Sequence, residues 1–203
     1  MARDLQSLQV GDSRLVPFEP RHAPLFCFAL LTASCALASF ALACATPFAA
    51  FAVVAAAMLP LRPALVVVTG AWLVNQGIGF AALHYPIEAS TMLWGLAIGI
   101  AALAATAVSA AVLRALPRGR TPVAMAIALA LTLAGAYAVY EIALLAATPF
   151  LGGAGSFTAA IMTRIGVVNI AWLIGLVAVC EMVRLLNPFR RARAVVRSGV
   201  RAH

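Results

Sequence analysis

Lysine is missing from this 203-residue chain, and all 14 of its basic residues are arginine. Acidic residues number only six, and charged residues make up 10%, against about 25% in a typical soluble domain. A soluble core of this size needs a polar coat, and too few polar residues are present to make one. Other patterns are missing as well. There is no CxxC pair, no GxSxG, no HExxH, no GxxxxGK[ST] and no paired-acid arrangement, which leaves a metal cluster, a hydrolase triad and a nucleotide phosphate loop without a motif. The four cysteines, Cys27, Cys35, Cys44 and Cys180, all lie inside apolar runs and read as small buried hydrophobes. Histidine is scarce too: outside the two tails only His84 is found.

What the chain does have is hydrophobic length. Apolar residues make up 65%, in recurring runs of roughly twenty, the length that crosses a bilayer. The first run begins near Leu25 and ends in ALACA; its length favours a span over a cleaved leader. Six helices are expected, at about 24–45, 47–60, 63–83, 91–114, 122–147 and 166–186. The second, PFAAFAVVAAAMLP, is short and bounded by Pro47 and Pro60. If it fails to cross, everything after it inverts.

Charge supports six crossings. With the N-terminus inside, the arginines at 3, 14, 21, 62, 114, 118, 120, 184, 190, 191, 193, 197 and 201 are all inside, and only Arg164 is outside. That 13-to-1 split is a positive-inside pattern. The expected fold class is therefore an all-α membrane protein, a compact bundle of six transmembrane helices in a bacterial inner (cytoplasmic) membrane. Both termini are cytoplasmic, and the basic tail 187–203 is available to anionic lipids. The arginines lie in short juxtamembrane clusters, which is a poor pattern for nucleic acid. Small residues recur at four-residue spacing, as in Ala29/Ala33, Ala41/Ala45 and Gly95/Gly99, and let helices approach closely.

In this topology the segment ALHYPIEAS (82–90) and the glycine-rich loop 148–165 face the periplasm. His84 stands at the end of a helix, where Tyr85 and Pro86 break it. One imidazole is too little to hold a free ion, for which three or four ligands are expected. It suits a metal already held by a macrocycle with one axial position open, or it is a helix-end histidine bonded to backbone or water. Asn75 and Gln76, about two turns earlier, are costly in hydrocarbon unless paired. With Phe80 they either line an outward cavity or bond neighbouring helices. Tyr137, Tyr140 and Glu141 in the fifth helix, and Asn169 and Trp172 in the sixth, fall at a similar depth, which points to an outward-facing site. Glu141 alone is also readable as a proton carrier. Glu181 and Arg184 read as a pair that stabilises the sixth helix.

The segment LVNQGIGFAALHYPIEASTMLWGLAIG (73–99) has the form NQ-x-x-GF-x-x-L-x-YP followed by WG-x-x-x-G. It resembles the solitary vitamin B12 uptake proteins of proteobacteria (the BtuM type), substrate-binding S-components of energy-coupling-factor transporters. The resemblance implies cobalamin binding on the outward side. It also implies uptake energised by cytoplasmic ATPases through a scaffold membrane subunit, and no catalytic residue in this chain. That family has a cobalt-binding cysteine just before the Tyr-Pro step; here the position is His84, which keeps cobalt ligation while removing thiol-based decyanation. Asn75, Gln76, Phe80, Tyr85, Tyr140, Glu141, Asn169 and Trp172 are then the expected cobalamin contacts, and the Ala29/Ala33 face resembles the scaffold-docking surface. Two other readings stand beside it: a haem- or cofactor-binding electron-transfer protein, and a structural or assembly subunit of a membrane complex.

Overall fold

The computed structural model describes residues 15, 22–42, 45–117, 121–153, 155 and 157–186. The basic tail 187–203, Cys44 and the arginines at 3, 14, 21, 118 and 120 lie outside the described residues. Six helices are seen: α1 (Ala23–Leu42), α2 (Phe48–Met58), α3 (Leu61–Ala81), α4 (Ala89–Ala115), α5 (Pro122–Leu151) and α6 (Ala159–Leu186). The chain is an all-α, multi-span membrane protein. Five of the helices are long and apolar enough to cross a bilayer; α2 is the sixth and the short one.

α2 forms the centre. Every one of its residues except Ala56 is buried, and the other five helices all touch it. Its sequence, FAAFAVVAAAM, has no polar side chain because no face of it meets water or lipid. Pro47 precedes it and Pro60 follows two residues after its end, so the prolines that mark it in the sequence also bound it. At 11 residues it rises about 16 Å, roughly half the hydrocarbon thickness.

Hydrogen bonds give the direction of each helix, and with it the role of α2. Cys35 Sγ donates to the Ala71 carbonyl (3.1 Å), and Asn75 Nδ2 donates to Ser39 Oγ (2.9 Å). A step forward along α1 is matched by an equal step forward along α3, so the two helices run parallel. Parallel helices that follow one another in sequence need a return between them, and α2 supplies it. At its start, Ala50 N–H meets Asn169 of α6; at its end, Met58 meets Cys180, so α2 and α6 also run parallel. α3 and α4 are antiparallel, with Trp72 against Gly99 and Gln76 against Gly95. Direction therefore alternates through all six helices. Leu15, Arg62, Arg114 and Arg184 lie at one end of the bundle, the basic end, and His84 lies at the other.

Two boundaries differ from the sequence reading by more than three residues. α5 continues through Pro149 to Leu151, past the expected end at 147. Proline has no N–H for the Leu145 carbonyl, and Thr148 Oγ1 donates to that carbonyl instead (2.8 Å), so the helix passes without an unpaired group. It stops at Gly152, whose φ of 78° favours glycine. α6 begins at Ala159 rather than 166, because Thr158 Oγ1 accepts the Ile161 N–H (3.4 Å) as a helix cap. The expected loop 148–165 therefore shrinks to the residues between Leu151 and Ala159, and Arg164 becomes an exposed helical residue.

The repeated small residues divide by use. Gly95 and Gly99 are buried where α4 receives the side chains of Gln76 and Trp72. Ala29 and Ala33 remain exposed on α1. Across the bundle Leu25, Leu37, Phe40, Val66, Val123 and Ile174 are also exposed, the apolar coat that a bilayer covers.

Candidate functional site

Residues 46–50, the turn into α2 and its first residues, gather polar groups from four helices. Asn75 Nδ2 donates to Ser39 Oγ at the end of α1 and to Thr46 Oγ1 in the turn (3.0 Å). Gln76 Nε2 donates to Asn75 Oδ1 (3.2 Å). Asn169 of α6 accepts the Ala50 N–H on Oδ1 (3.0 Å) and donates from Nδ2 to the Ile165 carbonyl (3.0 Å). The Tyr140 ring of α5 lies 6.4 Å from that of Phe48, which meets Phe51 edge to face. Asn75, Gln76, Tyr140, Glu141 and Asn169 thus sit in one layer around the start of α2. Ser39 and Thr46 belong to this layer too and were not among the expected residues. Thr46, directly before Pro47, was the sequence signal available for it.

Most of this layer's hydrogen-bonding capacity is spent within the protein. Asn75 ties α1 and the α2 turn to α3, and Asn169 caps α2, which has no cap from its own side chains. Glu141 is the exception. It is 6% exposed, and its Oε1 has no hydrogen-bond partner among the described residues. The neighbouring Tyr137 hydroxyl donates to the Met162 carbonyl of α6 (2.6 Å). An orphaned buried oxygen costs about 1–3 kcal/mol, so Glu141→Leu is expected to raise the thermal midpoint in detergent. A fall in the midpoint would show that the carboxyl has a stabilising partner.

At the His84 end, the chain leaves α3 and folds back on it. Tyr85 N–H donates to the Gly79 carbonyl (3.0 Å), and the Tyr85 ring covers Gly79, where a Cβ would lie 2.9 Å from it. This return forces His84 to φ 55°, the one positive φ at a non-glycine among the described residues. His84 is exposed. Phe80 is half-buried near the end of α3, and Trp172 is half-buried against the core. Trp94 lies in the second turn of α4 at the same end, with Gly153 of the α5–α6 loop beside its ring. Among the described residues no three His, Cys, Asp or Glu side chains converge on a metal position.

A crevice of about 1170 Å³ opens between α5 and α6. Met125, Leu129, Leu133 and Tyr137 line one wall, and Asn169, Leu173 and Val177 the other. At the basic end it is lined by Thr121 and by Glu181 and Arg184, which form the ion pair expected from their spacing. Of the residues read as an outward-facing site it takes in Tyr137 and Asn169.

No family model matches this chain, and no curated protein and no solved structure matches it.

Proposed function

We propose that the protein is the substrate-binding membrane component of a corrinoid uptake system. It takes cobalamin or a related corrinoid at the His84 end, with a ring nitrogen of His84 as one axial ligand to cobalt. The observation that carries the reading is the conformation of His84. Holding a side-chain-bearing residue at φ 55° costs on the order of 1–3 kcal/mol, and such strain concentrates at ligand sites. Here it presents an exposed imidazole on a loop that Tyr85 pins to α3. A single axial donor is sufficient for a metal whose other positions a macrocycle fills. The resemblance of residues 73–99 to the solitary vitamin B12 uptake proteins names the corrinoid. Phe80, Tyr85, Trp172 and the layer of Asn75, Gln76, Tyr140, Glu141 and Asn169 shape the site beneath it.

The positive-inside pattern of the arginines orients this end toward the periplasm of a bacterial inner membrane. The chain has no nucleotide-binding motif, so transport draws on cytoplasmic ATPases through a scaffold membrane subunit, with the exposed Ala29/Ala33 face of α1 as the docking surface.

The test is spectroscopic. Aquocobalamin added to the purified chain is expected to exchange its axial water for imidazole, with a shift in the visible bands that His84→Ala abolishes. Absence of both a band shift and measurable binding in the unaltered protein would reject the reading.

A further inference from the structure

α5 and α6 follow one another in sequence, yet each packs on α2 and hardly on the other. They meet at Tyr137. Its hydroxyl donates to the Met162 carbonyl (2.6 Å), and its ring lies against Gly166, where a Cβ would be 3.6 Å from it. From there to the basic end the two helices stand apart, with the crevice of about 1170 Å³ between them. Along α5 it runs from Thr121 to Tyr137, a rise of about 24 Å. One leaflet's share of the hydrocarbon is about 15 Å, so the crevice is long enough for a lipid chain standing upright.

Its surroundings decide what can enter. Ala130 and Ala134 on one rim and Ile170 and Ile174 on the other line the crevice and are exposed. They stand within two apolar spans, so the crevice opens to hydrocarbon rather than to water. The two ends differ in what they offer. At the inner end the polar groups are spent within the protein, Tyr137 on Met162 and Asn169 on Ala50 and Ile165. At the basic end Glu181 and Arg184 pair side by side, and both reach the surface. One ion pair leaves a guanidinium most of its five N–H groups and a carboxylate its second oxygen. Thr121 Oγ1 accepts the Ala124 N–H (3.2 Å), and its own hydrogen has no acceptor among the described residues. The unspent polar groups therefore lie at one end, and they carry both signs. The matching occupant is an amphiphile with an apolar chain directed toward Tyr137 and a head that holds both an anion and a cation. Phosphate suits the Arg184 guanidinium and the Thr121 hydroxyl, and a primary ammonium donates to the Glu181 carboxylate. A purely anionic head would be repelled by Glu181, and a quaternary ammonium has no N–H to give it.

We propose that the α5–α6 crevice is a binding site for one acyl chain of a phospholipid whose phosphate carries a primary ammonium group, the phosphatidylethanolamine type. The head is held at the basic end by Thr121, Glu181 and Arg184. That end lies opposite His84, so the site stands or falls independently of corrinoid binding.

The full chain, delipidated in detergent, is titrated with phosphatidylethanolamine, phosphatidylcholine and phosphatidylglycerol of matched chains, and bound lipid is counted by native mass spectrometry. One phosphatidylethanolamine per chain is expected, preferred over the other two by about fivefold, the worth of one exposed ion pair. Glu181→Gln is expected to abolish the preference over phosphatidylcholine, and Arg184→Gln to weaken binding of all three lipids by about fivefold. Ala130→Phe, which fills the crevice from an exposed rim position, is expected to weaken binding by at least about tenfold. Any of the following overturns the proposal: no stoichiometric lipid, equal binding of the three lipids, preference for phosphatidylglycerol, binding unchanged in Ala130→Phe, or crosslinking of Ala130→Cys to a second copy or to another protein in membranes. Elution profiles of each variant separate lost binding from lost folding.

Discussion

Replacing Gly99 by alanine is expected to destabilise the protein by about 1–3 kcal/mol, although alanine is the better helix former by about 1 kcal/mol. The added methyl would lie 2.7 Å from Trp72 Cε2 and 2.9 Å from Nε1, distances that Cβ atoms essentially never show. The indole has no easy retreat. It is rigid, and its Nε1–H donates to the Gly95 carbonyl (2.8 Å), so moving it breaks a bond inside the bundle. The same substitution at Gly95 meets only the amide oxygen of Gln76, the tip of a flexible side chain, and is expected to cost less. At Gly77, where a Cβ has open space, alanine is expected to be neutral or stabilising. Thermal unfolding in detergent checks the order Gly99, Gly95, Gly77, and a shift in tryptophan emission reports on Trp72. Equal effects at Gly99 and Gly77 would mean that the α3–α4 seam is looser than described.

Asn169→Leu is expected to have an effect of similar size by a different route. It leaves the Ala50 N–H without its acceptor at the start of a fully buried helix. An unpaired buried donor costs about 1–3 kcal/mol, and the bilayer interior has no water to replace the lost partner. The consequence extends to α6, because α6 leans on α2 far more than on α5, with the crevice on its other side. Loss of the cap should therefore free α6 before the rest of the bundle, seen as faster alkylation of Cys180 while Cys35 stays protected. Uniform exposure of both thiols would show that the cap supports the whole core instead.

The apolar runs made the five long helices readable, and Pro47 and Pro60 made α2 readable as a separate, short one. The missed boundaries have local causes. Pro149 reads as a helix end unless one sees that the hydroxyl before it takes over the carbonyl it strands. Thr158 caps α6 inside a stretch whose glycines and Arg164 look like loop. The layer of Asn75, Gln76, Tyr140, Glu141 and Asn169 was legible from depth alone, since each residue lies at a similar height in its span. Their partners were not, because Asn75–Ser39 and Asn169–Ala50 join helices far apart in sequence. The φ of His84 follows from the fold-back of Tyr85 onto Gly79, which the YP step indicated only as a helix end. The Met58–Cys180 contact lies across the core, joining residues that periodicity treats as ordinary packing.

The submerged α2 also has a consequence for biosynthesis. A segment this short and this enclosed has no lipid-facing surface by which an insertion machinery could seat it alone, so it must enter the membrane held between α1 and α3. Its first turn is then completed by Asn169 of α6, which emerges from the ribosome after the five other described helices. A nascent chain that does not yet hold α6 therefore carries an open centre beside α2.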